Sequence, residues 1–299
     1  MSELRTRFLT AVVARRSGMI GLSVMAAMAL AALLAPILAT ADPFAITGGA
    51  LEAPSTSHLM GTDALGRDLF SGVLYGARAS LTLAIAGGLL AFLCGTTVGV
   101  VAGYRGGIVD EALMRITELF QVMPRFFLVV VAIALFGPGS ERVVLILGLT
   151  SWAVLARVVR TEVLATRNLD FVLSSEALGA TRTHLFLRVL LPHVLPAALV
   201  MLGLLFGQLL LVEASVGFIG LGDPDALTWG VLAGQAQGYM RSAWWLPLFP
   251  GLAITITVIG FNLLTDAVAD IARAGAAAGR AERVTEQTLT IPRAVATET

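Results

Sequence analysis

The chain contains no lysine: all 20 of its basic residues are arginine. A nucleotide-binding P-loop needs a lysine on the phosphates, and a Schiff base or amine nucleophile needs one as well. This chain therefore carries neither, and if ATP drives its work another chain must bind the nucleotide. Cysteine occurs once, at Cys94 in an apolar run, which rules out an internal disulfide or a cysteine metal cluster and reads as a small core side chain. Charge is scarce, at 13% of 299 residues against about 25% in a soluble domain. The charges sum to zero, which gives no footing for nucleic acid or a bulk acidic partner. The three histidines, His58, His184 and His193, lie far apart and form no H-E-x-x-H pair, and no G-x-S-x-G elbow occurs. No catalytic, cofactor-binding or metal-ligating set is found, so a non-catalytic, all-α integral membrane protein is expected.

What is abundant is apolar sequence, 57% of the chain with a mean hydropathy of +0.86. A membrane-crossing helix needs about 20 mostly apolar residues, and six stretches qualify: 18–40, 80–104, 112–136, 143–156, 194–221 and 243–265. The third carries Arg115, Glu118 and Arg125 in its first half and a kink signal at Pro124. The fourth is lengthened by Arg157 and Arg160, whose heads can reach the interface. The first, with arginines before it and Ala39-Thr40-Ala41 after it, imitates a signal peptide. Its apolar run exceeds the ~7–15 residues of such a segment, so an uncleaved helix is expected. The division that follows is an N-terminal segment 1–17, a first span 18–40, an external segment 41–79, a five-helix core 80–270 holding a loop 157–193, and a disordered tail 271–299 rich in Ala, Gly, Thr and Glu.

Arginine sets the orientation. With the N-terminus inside, 15 arginines fall on inner segments and four (Arg67, Arg78, Arg142, Arg241) on outer ones, with Arg125 left inside the third span. Both termini are thus expected in the cytoplasm. Gly95, Gly99 and Gly103 give two successive G-x-x-x-G steps that let helices approach closely; the single pair Gly203 and Gly207 carries less weight. Inside the spans, Arg115 and Glu118 stand i,i+3 and can neutralise one another. Glu213, Asn262 and Asp266 are candidates for the translocation path or a subunit interface, because ionisable groups at membrane depth are functional by default. For Glu213 the alternative is an acid satisfied by a neighbouring helix. The exterior GTDALGRD turn (61–68) reads as structural, for docking outside the membrane.

The loop 157–193 is longer than a helix connection requires and is amphipathic. Phe171, Val172, Leu178, Leu185, Phe186 and Leu187 alternate with Arg and Glu, around a hinge at Gly179. Such a segment fits a groove on another protein or rests on lipid headgroups. Its sequence FVLSSEALGATRTHLFLRVLLPHVLPA (171–197) resembles the cytoplasmic loop of ABC-importer permeases, with their Glu-Ala-Ala…Gly…Leu-Pro pattern. In that family the loop is a coupling helix seated in a cleft of the ATPase. By this resemblance Gly179 takes the glycine, Leu191 and Pro192 the closing pair, and Leu173, Ser174 and Ser175 the Glu-Ala-Ala positions. The usual acid is missing, with Glu176 and then Ala177 following it. This departure touches the ion pairing at the ATPase contact and not the seat itself.

Four further stretches, 58–81, 150–165, 213–222 and 244–270, resemble the second permease of dipeptide, oligopeptide and nickel importers, in order over about 15–272. The resemblance implies a six-helix type I permease bundle in the bacterial inner membrane. It also implies a homologous permease, two ATPases that hold ATP and Mg, and an external binding protein delivering peptides or nickel chelates. The rival is an autonomous ion-gradient-driven carrier using Glu213, for which the internal repeat common in such proteins is missing.

Overall fold

In the computed structural model the described residues are 11 and 14–290. The side chains of Arg182, Ala272 and residues 274–290 fall outside that description, as do the expected inner arginines Arg5, Arg7 and Arg293. Among the described residues the chain is helical, with no strand and two isolated bridges, Ile46 with Arg67 and Thr62 with Asp68. Five helices are long and apolar enough to cross a membrane, six if one bent pair is a single span.

The first span is α1 (Arg16–Leu33), continued after a break at Leu34 by the short α2 (Ala35–Leu38). Pro36 lies in the first turn of α2, where its missing N–H is no loss. The second span, α3 (Leu69–Arg105), has 37 residues and starts well before position 80. Asp68 is the reason: its carboxylate accepts the Ser71 amide at 2.8 Å and caps the helix there. Arg78, which the sequence reading left outside the helix, is simply an exposed helical side chain.

The third span departs most from expectation. It is two helices, α4 (Gly107–Val122) and α5 (Arg125–Phe136), meeting at 87°. Pro124 forces the preceding Met123 into extended backbone (φ −83°, ψ 131°), and a residue before proline disfavours helix; the kink is a full break. The fourth span, α6 (Ser140–Thr166), runs further than its apolar core, so the expected loop from 157 begins only after 166. A short α7 (Asp170–Ala177), a helical turn Arg182–His184 and a π-helical stretch Leu185–Leu190 lead into the fifth span, α8 (Leu191–Phe218). Pro192 and Pro196 each remove a backbone donor; the first lies at the start of α8 and the second inside it. After α9 (Trp229–Gln235) comes α10 (Trp245–Thr290). The helix continues to Thr290, where the sequence reading had a structureless tail; alanine is the strongest helix former, and positions 274, 276, 277, 278 and 281 are alanine.

The core is a seam between α3 and α6. Cβ atoms added at Gly95 and Gly99 would lie 2.7 Å from Trp152 O and 2.5 Å from Ala156 O, and one at Gly103 would lie 2.8 Å from Val163 Cβ. The triple glycine does bring two backbones together. Gly203, given less weight, also matters: it faces Thr265 of α10, with Thr265 Cβ 3.2 Å from where its own Cβ would stand. Gly207 has ordinary room, its nearest neighbour at 3.7 Å. At one end of the bundle Asp110 of α4 receives Arg160 of α6 through two bonds of 2.5 and 2.6 Å, and Arg15 meets Asp270 at 2.6 Å. We refer to this as the arginine end and to the opposite one, where 39–68 folds, as the cap end.

Candidate functional site

At the arginine end the segment between α6 and α8 is built as a projecting turn. Helix α7 closes in a Schellman motif: the Gly179 amide donates to Glu176 O at 2.9 Å and the Ala180 amide to Ser175 O at 3.1 Å. The motif needs a left-handed residue, and Gly179 supplies it at φ +82° with open space around it. Leu173, Ser174, Glu176, Ala177 and Leu178 are all exposed, Leu178 at 89%, and Ser175 is half-buried with its hydroxyl on Phe171 O at 2.7 Å. The inner side is anchored by a small core of Val172, Leu185 and Leu190, by Phe186 edge-on to Tyr104, and by His193 stacked on Phe171 at 4.7 Å. Leu191 is half-buried and Pro192 exposed in the first turn of α8. Leu185 therefore turns inward, and Leu187 is free at 51% exposure. Beneath the turn lies a groove of about 1010 Å³, lined among others by Tyr104, Arg105, Arg167 and Glu176.

At the cap end the Asp68 carboxylate gathers four polar contacts. It accepts Thr40 Oγ1 at 2.8 Å, Ser71 Oγ at 2.7 Å and the Ser71 amide, and His58 Nδ1 lies 3.2 Å away; the Ala41 amide completes the cluster through Ser71 Oγ. Burial pushes this carboxyl up, but the bonds from Ser71, Thr40 and His58 outweigh it and hold it below the ordinary carboxylate range. Trp245 Nε1 donates to Thr62 O at 3.2 Å, so the GTDALGRD turn joins the starts of α3 and α10. Asp223 caps α6 from a distant loop through the Ser140 amide and hydroxyl at 2.7 and 2.6 Å. Burial again pushes up, and the Ser140 and Asp225 hydrogen bonds bring Asp223 below its usual range.

The acids and amides at membrane depth fall into two groups. Glu213 is 3% exposed and faces its own chain's interior. Ser80 Oγ donates to it at 3.2 Å, Thr228 is its second side-chain partner, and the Trp229 amide donates to Ser80 Oγ at 3.0 Å. Thr228 also caps α9, which wedges between α3 and α8: Gly76 accommodates the Trp229 ring, and Gly217 and Gly230 the crossing backbones. Asn262 and Asp266 instead share an exposed face of α10, and among the described residues neither is tied to another by a hydrogen bond or ion pair. The Arg115–Glu118 pair forms as expected, at 3.2 Å. Sequence reasoning missed Ser80, Thr228 and the Asp110–Arg160 clamp. A T-W-G signal for a capped turn was available for Thr228; nothing local marks the other three.

Residues 95–275 match the family described as binding-protein-dependent transport system inner membrane component. The dipeptide transport system permease protein DppC of Bacillus subtilis is 37% identical over 219 residues, 73% of this chain and 68% of that protein. The oligopeptide permease OppC of the same organism is 32% identical, covering 84% of this chain and 83% of that protein. The glutathione permease GsiD of Pectobacterium atrosepticum is 36% identical over 73% of each. Among solved structures, an inward-facing MetNI methionine ABC transporter matches 68% of this chain and 95% of its own at 22% identity, with a TM-score of 0.54. A likeness at that identity speaks for the fold. No comparison supports a carrier driven by an ion gradient.

Proposed function

Because the chain belongs to the binding-protein-dependent transport permeases of the inner membrane, we propose that it is one of two homologous permeases that form the translocation path of a peptide importer. The relatives quoted above are named for dipeptides, oligopeptides and glutathione, which favours the peptide half of the sequence expectation over nickel chelates. The observation that carries the mechanism is the projecting turn: an exposed Leu178 and an open, left-handed Gly179, fixed from below by Val172, Leu185 and Leu190. Under this reading residues 171–193 seat on ATPase subunits that hold ATP and Mg. The arginine end and both termini are then cytoplasmic, and the cap end faces the delivering binding protein. ATP acts by binding one arrangement of the subunits more tightly than another, and rocking of the two permeases switches access to the path.

The test is purification of the chain from its native membrane in mild detergent, followed by reconstitution of what accompanies it. A second permease and ATPases in the preparation, with ATP-dependent uptake of a labelled dipeptide once binding protein is added, are the expected results. A chain that purifies alone and still moves solute down an ion gradient would sink the proposal.

A further inference from the structure

We propose that Arg125, steadied by Gln208, is an anion contact on the transit route and receives the free α-carboxylate of a passing peptide. The proposal rests on the peptide-importer reading above. Arg125 opens α5 at the 87° break, and its guanidinium donates to Gln208 Oε1 of α8 at 3.1 Å. Among the described residues Gln208 is its single hydrogen-bonding partner and no carboxylate pairs with it, so most of its planar fork is uncommitted.

The depth follows from the neighbours. Gln121, just before the break, donates to Ala153 O at 3.1 Å, near the middle of α6. Gln208 lies about 15 Å from the nearer end of α8 at 1.5 Å per residue, beyond the reach of an arginine stem to a headgroup. Lipid is a poor cover for such a charge. The break itself points the same way: Met123 is 52% exposed and Pro124 is exposed, and irregular backbone at this depth is tolerated only within protein or beside water. Around the pair the wall is apolar, with Val122, Phe127 and Leu211 exposed. A zwitterionic peptide crossing that wall has one negative group that every sequence shares, its C-terminal carboxylate. Arginine's fork matches a carboxylate through two parallel bonds.

The experiment uses the whole importer in proteoliposomes, with labelled dialanine at saturating binding protein, for wild type, Arg125→Lys, Arg125→Gln and Gln208→Leu. Recovery of the partner subunits is measured alongside. The expected result is a fall of tenfold or more in maximal uptake for Arg125→Gln, with KM and subunit recovery unchanged. Arg125→Lys restores part of the rate, and Gln208→Leu lowers it by less than Arg125→Gln. An unchanged maximal rate in Arg125→Gln overturns the assignment. So does loss of the partner permease that Arg125→Lys restores, since Arg125 would then pair with an acid across the subunit interface. If the wild-type complex fails to carry dialanine yet carries another solute, the peptide reading has failed in a way visible before any variant is compared, and the carboxylate assignment falls with it.

Discussion

Ser80 of the second span and Glu213 of the fifth, 133 positions apart, share a hydrogen bond of 3.2 Å in the interior of the chain. The same serine hydroxyl accepts the Trp229 amide, so one small side chain joins three helices. A buried acid is tolerated here because hydroxyl donors reach it.

Replacing Glu213 by alanine leaves the hydroxyls of Ser80 and Thr228 buried without their acceptor. The loss should be on the order of 3 kcal/mol, read as a markedly lower thermal transition of the detergent-purified chain. Glu213→Gln, which keeps an acceptor oxygen, should lose less than half as much. Equal transitions for both variants and wild type would show that the α9 wedge stands without this knot.

A second prediction separates tight glycines from roomy ones. Gly99→Leu drives a side chain into Ala156 O and should destabilise the α3–α6 seam by about 1–3 kcal/mol. Gly207→Ala, with 3.7 Å to its nearest neighbour, should stay within about 0.5 kcal/mol of wild type. Paired thermal scans decide, and the order of the two variants matters more than either value.

Asp68 gives a pH dependence with a definite sign. Its folded carboxyl titrates below the 3.8 of an unperturbed aspartate. The stability it contributes is therefore complete above that value and disappears as pH falls through the lower, folded one. Wild type should lose thermal stability between pH 4 and about pH 2 more steeply than Asp68→Asn, which starts lower and varies less. Parallel slopes would mean that the cap draws nothing from this carboxylate's charge.

The projecting turn predicts a split between two leucines. Leu178→Asp changes a side chain that is 89% exposed and should leave the chain folded while ATPase subunits no longer co-purify. Leu185→Asp buries a charge in the anchoring core and should reduce the yield of folded protein itself. If Leu178→Asp retains the ATPases at wild-type levels, the turn is not the seat.

Much of this is legible in the sequence alone, for reasons that differ by element. Long uncharged runs announced the spans because hydrocarbon admits little else, and the Gly95, Gly99 and Gly103 spacing announced the close seam because backbone contact demands missing side chains. Boundaries were less legible. The start of α3 depended on Asp68 acting as a cap, and Arg160, in the part of α6 beyond its apolar core, finds its partner Asp110 50 positions away. Pro124 signalled a bend, but its size is set by how α4 and α5 pack on α6. The internal placement of Glu213 was left open because Ser80 and Thr228 come from distant sequence. The inward turn of Leu185 was hidden because its amphipathic neighbours read equally well on either side.

The length of α3 has a geometric corollary. At 1.5 Å per residue its 37 residues extend about 56 Å, while bilayer hydrocarbon is about 30 Å thick. From Arg105 at one end, the next exposed charge along the helix is Arg78, about 40 Å away, so the turns from Leu69 to Arg78 stand proud of the oily layer. The folded 39–68 segment sits on those turns like a rim on a chimney. That segment is tied to the start of α3 through Thr40 and Asp68, and so it too stands above the plane of the lipid tails.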